Sequence, residues 1–328
     1  MQRCGPRREP RFPPPPAPSD PGAVTRAAVE AARRNGFVAA GVARAVAPAP
    51  TWERFAAWLA SGRHGEMSWL ARDAEARRDP GSILPWCRSI LSVARPVPPG
   101  PPGNVARYAR GEDYHDAVRR ALHRVARDLR PSCPPGTHFR VSVDTAPLLE
   151  RELAARSGVG FVGKSGMLIV PGVGSHVVLG ELLTDVEMEP TPPLAGLPAD
   201  PERCGTCTAC LDACPTGAFV APAVLDARRC LSYLTIEKRS PLDAAEEEWL
   251  DGRLFGCDVC QDVCPFNARR AASSGTEPAD LDPAELVELT GAGFEERFGR
   301  SAVRRATREG LARNARAALR HGATVTRP

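Results

Sequence analysis

Eight of the eleven cysteines fall between Cys204 and Cys264. Cys204, Cys207, Cys210 and Cys214 follow the spacing C-x2-C-x2-C-x3-C-P. Cys257, Cys260 and Cys264 repeat its last part, and Cys230 lies between the two runs. Three thiolates on so tight a loop cap one face of an iron–sulfur cubane, while the cysteine before the proline points to a neighbouring cluster. The eight match two [4Fe–4S] clusters with four thiolates each. The crossed rule divides them into Cys204, Cys207, Cys210 and Cys264 for one cluster. Cys214, Cys230, Cys257 and Cys260 remain for the other. Zinc is the alternative, but structural zinc sites pair C-x2-C units across a longer loop. A disulfide framework would spread its cysteines along a small secreted domain.

An electron carrier needs nothing beyond this module, yet a long stretch precedes Cys204 and has room for an acceptor. "DPGAVTRAAVEAARRNGF" reads as a capped helix ending at Gly36, followed by a strand in "FVAAGVARA". Thr51 to Ala60 reads as a helix and "RSILSVARPV" (88–97) as a strand. "GEDYHDAVRRALHRVARDLRPS" places Ala117, Val118, Ala121, Leu122, Val125, Ala126 and Leu129 on one face at helical period, and Pro131 stops it. "HFRVSVD" (138–144) is the next strand. "PLLERELAARSG" (147–158) is the next helix, with Pro147 in its first turn. "GMLIVPGVGSHVVLGELLTDVEM" (166–188) reads as a hairpin turning through Pro171 to Gly174. The expectation is an α/β (α+β) domain over 23–193, a ferredoxin-like module of two clusters over 194–270 and a short helical segment over 271–328. Residues 1–22 read as a disordered Pro/Arg-rich tail.

The 328 residues carry a net charge of +4, with 43% hydrophobic and 25% charged residues, ordinary for a globular protein. Nearly all the positive charge is arginine; Lys164 and Lys238 are the lysines. No apolar run is long enough to span a bilayer, and the N-terminus lacks the apolar core of a secretory signal. A cytoplasmic monomer without a membrane partner is expected.

Several stretches outside the cysteine spacing resemble the epoxyqueuosine reductase family over roughly residues 23–320. They are "MSWLARDAEARRDPGSILPWCRSIL", "RYARGEDYHDAVRRAL", "VDTAPLLERELAARSGVGFVGKSGMLIV", "CLSYLTIEKR", "FGCDVCQDVCPFN" and "RFGRSAVRRATREGLARNARAAL". The resemblance implies a base-off cobalamin beside the two clusters and an external low-potential electron donor. It implies reduction of the epoxide on the wobble base of epoxyqueuosine-bearing tRNA to the cyclopentene of queuosine. Asp144 matches the aspartate of the family's D-T-x-P motif and is the expected proton donor, for which a carboxyl with a raised pKa is suited. Capping a following helix is its alternative use. "GFVGKSG" (160–166) resembles the loop that lines the corrinoid. The expected cobalamin contacts are Tyr108, Asp144, Lys164, Ser165, Gly166, Ser175 and Gly256. Ser232, Thr235, Glu237 and Lys238 are the expected contacts to tRNA, where a base must leave its stack to be reached. Tyr114 and His115 read as helix-start packing and capping, and His115 is not expected to ligate cobalt. The chain departs from the family in ending soon after "RNARAAL", so the helical-repeat domain of many members is expected to be reduced or absent. The Arg-rich terminal stretch and the "RREPR" tail are candidates to hold tRNA instead. The rival readings are a reductive dehalogenase-like corrinoid enzyme and a corrinoid-reducing electron-transfer protein.

Overall fold

The computed structural model describes residues 20–45, 49–194, 201–268 and 280–322. Most of the expected N-terminal tail and the junction expected at 270 lie outside the described residues. Helix α1 (Pro21–Arg34) opens on Asp20, whose carboxylate accepts the Gly22 N–H at 3.0 Å. Gly36, at φ +88°, turns the chain into β1 (Ala39–Arg44). Helix α2 (Ala49–Ala60) and three short helices, α3 (Ser68–Arg72), α4 (Ala74–Arg78) and α5 (Pro80–Ile83), lead to β2 (Ser89–Pro96). Helix α6 (Tyr114–Leu129) buries Val118, Ala121, Leu122, Val125, Ala126 and Leu129, the stripe expected from its period.

Strands β1, β2, β6 (Val177–Thr184) and β3 (Phe139–Ser142) form one sheet in the order β1-β2-β6-β3, antiparallel throughout. Alternation of helices and strands leaves strand direction open, and here the domain is of α+β type. Side chains alternate across the sheet. Val42, Leu91, Val93 and Leu182 pack under α1 and α6, while Ala43, Ile90 and Leu183 pack under Leu153 of α7 (Glu150–Arg156). Gly41, Ser92, Glu181 and Ser142 share one register row across the four strands. A Cβ on Gly41 would stand 1.9 Å from the Ser157 carbonyl, so only glycine lets the end of α7 press on the sheet.

Two local expectations are corrected. Helix α7 starts at Glu150, not at Pro147, because residues 144–149 form the turns that return the chain from β3. The expected hairpin does turn between Val170 and Gly174. Its arms separate, however: β5 (Leu168–Ile169) pairs with β4 (Phe161–Val162), and β6 enters the main sheet.

The cysteine-rich region follows with helices α8 (Ala209–Asp212), α9 (Leu231–Ile236), α10 (Ala244–Leu250) and α11 (Val259–Asp262). The last segment carries α12 (Pro283–Glu288), α13 (Gly291–Phe298) and α14 (Thr307–His321). Its apolar residues join Val105, Ala109, Leu254 and Phe255 in one core. Asn314, wholly buried in α14, donates to the carbonyls of Thr235 and Leu254, both at 2.9 Å.

The strap at 105–109 binds the sheet domain to the cysteine region. Ala106 N–H donates to the Phe255 carbonyl at 2.8 Å. Arg107 reaches Asp258 at 3.0 Å and Asp262 at 2.5 Å, with side chains 9%, 9% and 13% exposed. Removing one side of so dry an ion pair strands the other charge. Arg107→Met is expected to cost about 3–5 kcal/mol, seen as a lower midpoint of chemical unfolding. An unchanged midpoint would show that the ion pair is not what seats the two parts.

Candidate functional site

The two cysteine runs meet through α8 and α11. Cys204, Cys207, Cys210 and Cys264 line one small cavity together with Lys164, Ser165, Pro265 and Phe266. Cys230 lies within electrostatic reach of Cys214, and Cys257 and Cys260 lie within reach of Cys230. Cys260 also feels Cys210, so the two groups adjoin. Backbone N–H groups point at sulfur in both: Lys164 N at 3.4 Å from Cys204 Sγ and Ala218 N at 3.3 Å from Cys214 Sγ. Such donors suit thiolates that share negative charge with a cluster. Among the described residues no three His, Cys, Asp or Glu side chains converge closely enough for a single metal ion.

A second cavity, of about 280 Å³, opens between the sheet and α11. Asp144, Glu150, Arg151, Tyr108, Tyr114, Ser175 and Gln261 line it, with Met167, Val177 and Leu179 as apolar wall. Asp144 lies in the left-handed region at φ +57°, a strained conformation for a residue with a Cβ. Its N–H donates to Glu150 Oε1 at 2.8 Å, which holds the turn. Its carboxylate caps no helix, since α7 begins six residues later behind Leu149.

The Asp144 carboxylate is bound by the start of α6. Tyr114 donates its hydroxyl to Oδ2 at 3.1 Å, and His115 Nε2 lies 3.4 Å from the same oxygen. His115 Nδ1 in turn meets Asp113 Oδ1 at 2.7 Å, and Asp113 also caps α6 by accepting the His115 N–H. Tyr114 and His115, expected as packing and capping residues, therefore hold the Asp144 carboxylate, and Tyr114 also lines the pocket. The helix start pointed to them, but their partner is 30 residues away.

This arrangement corrects the expected acidity. The His115 hydrogen bond, with the Tyr114 hydroxyl and the nearby Arg305, holds Asp144 below the ordinary carboxylate range against the effect of burial. Burial opposes charge on His115, but its bonds to Asp144 and Asp113 prevail and raise its pKa. The proton thus rests on the imidazole, with Asp144 as its carboxylate partner.

The other expected residues divide. Tyr108 and Ser175 line the pocket. Lys164 and Ser165 stand at the first cysteine cavity instead, where Lys164 Nζ donates to the carbonyls of Gly205 and Cys207 at 2.7 and 3.0 Å. Gly166 accepts from Arg151 of the pocket wall at 2.5 Å. Gly256, at φ +75°, donates its N–H to Thr235 Oγ1 at 2.9 Å, and a Cβ there would meet that of Ala106 at 2.6 Å. Thr235 is buried, with its hydroxyl given to Leu231, so it offers nothing to a nucleic acid. Lys238 is tied to Glu246 at 2.6 Å. Ser232 is half-buried beside Cys230. Glu237 forms a two-pronged pair with Arg305 at 2.8 and 2.9 Å, and Arg305 stacks on Trp69 at 5.8 Å.

The His115–Asp144 pair has a defined pH window. The contribution of His115 is full below its unfolded pKa and fades as pH rises through the raised folded value. That of Asp144 is present above its unfolded pKa and is lost as pH falls through the lowered value. An imidazole NMR titration is expected to place His115 above an ordinary histidine and to fall in Asp144→Asn. An unchanged midpoint in that variant would contradict the pairing.

Comparison with known proteins supplies the family. Residues 203–267 match the model of a 4Fe-4S double cluster binding domain, and residues 77–145 match that of epoxyqueuosine reductase QueG, DUF1730. The chain is 42% identical to an epoxyqueuosine reductase of Gloeobacter violaceus, over 88% of this chain and 93% of that one. It is 36% identical to another from Pseudomonas aeruginosa, over 91% and 85%. A crystal structure of epoxyqueuosine reductase with an epoxyqueuosine-modified tRNA-Tyr stem loop aligns with a TM-score of 0.79 at 30% identity, covering 91% of this chain and 81% of that one. A Bacillus subtilis relative, solved with its catalytic aspartate loop swung out of the active site, aligns at 0.78 and 30% identity, over 91% and 82%. With a double-cluster domain and relatives of this kind along nearly its whole length, the chain is an oxidoreductase of the epoxyqueuosine reductase family.

Proposed function

We propose that this chain reduces epoxyqueuosine to queuosine at the wobble position of tRNA. It would act as a cytoplasmic monomer fed by an external low-potential electron donor. The observation that carries the reading is a pocket lined by Asp144 and Tyr114, with His115 bound to the Asp144 carboxylate, whose far wall includes Gln261 of α11, the helix that bears Cys260. The proton-bearing groups thus face, across one cavity, the helix that carries a cluster cysteine.

Cys204, Cys207, Cys210 and Cys264 hold one [4Fe–4S] cluster; Cys214, Cys230, Cys257 and Cys260 hold the other. The pocket suits cobalamin in the chemistry of its walls. Met167, Val177 and Leu179 offer apolar surface to a flat ring, and Tyr108, Ser175 and Gln261 offer polar groups to its amide fringe. A Cβ on Gly166 would meet nothing nearer than Arg151 at 3.8 Å, so the loop leaves room beside it. When bound, the clusters and cobalamin supply the two electrons of the reduction.

The chain's own residues handle substrate and protons. Asp144 passes a proton to the leaving epoxide oxygen, drawing on the imidazolium of His115, which Asp113 orients. Tyr114 holds the Asp144 carboxylate in place as a neutral donor, since burial raises its own pKa. Glu237, Arg305 and Trp69 form a charged and aromatic edge near Asp144, suited to an extruded nucleoside.

Asp144→Asn is expected to slow conversion of an epoxyqueuosine-bearing stem loop by about 10²–10⁴-fold, with iron and cobalamin content unchanged. His115→Gln should slow it less and recover as pH falls and protons reach Asp144 from water. Unchanged conversion in Asp144→Asn would overturn the assignment.

A further inference from the structure

Behind Asp144 lies a second, deeper acid. Glu181 sits at the middle of β6, the inner strand between β2 and β3, and is wholly buried. Its register neighbours are Ser92 and Ser142, whose hydroxyls are buried without a hydrogen-bond partner among the described residues. No donor among the described residues reaches either oxygen of Glu181. The group within hydrogen-bonding reach is another carboxyl, that of Glu150 at the first position of α7.

Two carboxyls can meet in a dry interior only by sharing a proton. The partners say where it rests. Glu150 accepts the Asp144 N–H at 2.8 Å and lines the pocket. Glu181 receives nothing. Glu150 is therefore the acceptor and Glu181 the neutral acid that donates to it.

We infer that Glu181 and Glu150 form a proton-sharing carboxyl pair that delivers the second proton of the reduction to the Asp144 pocket. This rests on the reaction proposed above. Removing the oxygen of an epoxide breaks two C–O bonds and forms one C=C bond. Two electrons enter from the low-potential donor, and the oxygen leaves as water after taking two protons. The His115–Asp144 pair holds one proton. The glutamate pair holds another, one hydrogen bond behind the same turn. Glu150 faces the pocket, so a proton from Glu181 emerges there.

The surroundings favour this state. Burial raises the pKa of both, and the neighbouring Asp144 charge raises them further; Glu150 is pushed up to about 7 and Glu181 higher. The other titratable groups facing the pair are Arg151, which gives one N–H to the Gly166 carbonyl, Tyr114, and Arg77 from α4. Arg77 also stacks on Trp69 at 5.4 Å. None of the three is within hydrogen-bonding reach of Glu181.

Infrared spectra of the holoenzyme test the pair directly, because a neutral carboxylic acid has a C=O stretch that a carboxylate lacks. The wild type is expected to show this band at neutral pH, and Glu181→Gln, which keeps shape and a donor to Glu150, to lose it. Glu181→Gln should also slow single-turnover conversion by about tenfold or more, increasingly as pH rises and water-borne protons grow scarce. A merely structural loss would be equal at every pH. Absence of the band in the wild type, its survival in Glu181→Gln, or a pH-independent loss would overturn the inference. A wild-type holoenzyme that leaves the epoxide intact would sink the proposed reaction and the second-proton role with it. Conversion without the band would sink only the carboxyl pair.

Discussion

The ion pairs of Arg107 with Asp258 and Asp262 set the distance between the sheet domain and the cysteine region. Both walls of the pocket depend on it. Tyr108 follows Arg107 on the strap, while Asp258 and Gln261 belong to the segment that bears Cys257 and Cys260. A buried charge network adds little stability over an apolar contact of the same shape, but it accepts only one geometry. Fixed geometry is what a path for electrons into a pocket requires. The C-terminal helices reinforce the same seam, since Phe294, Phe298 and Leu311 pack against Val105 and Phe255.

Inside that frame the chemistry gathers around one strained residue. Asp144 occupies a backbone conformation that costs about 1–3 kcal/mol, and Glu150, Tyr114 and His115 hold it there. Hydrogen bonds from Tyr114 and His115 to one oxygen fix the carboxylate, which the pocket partly encloses while its side chain stays 62% exposed. Charge is graded across the site. A carboxylate faces the cavity, a cation backs it on one side, and neutral acid lies deeper on the other. The grading follows from depth: exposed groups keep their charge, and wholly buried ones lose it unless a donor compensates.

Much of the fold was legible because its signals are local. The α6 stripe, the cap of α1 and the strand pattern of β2 all depend on residues within one or two turns. Strand direction was not legible, since nothing in the alternation of β2 or β6 says which neighbour it pairs with. The β5–β6 hairpin failed for that reason: its turn was correct, but each arm found a better partner elsewhere. Lys164, Thr235 and Lys238 looked available because their types suit recognition. Burial and intramolecular partners, which no local pattern records, had already engaged them.

The sequence by itself determined the metal chemistry and the family. Cysteine spacing is a covalent ruler, and thiolates three residues apart on a loop can face one cluster whatever surrounds them. Only the tertiary structure decided the proton chemistry. The relative acidities of Asp144, His115, Glu150 and Glu181 depend on burial and on partners far apart in the chain, as Asp144 and Arg305 are. Those are properties of the folded site, and they reversed the expectation that Asp144 would hold a raised pKa.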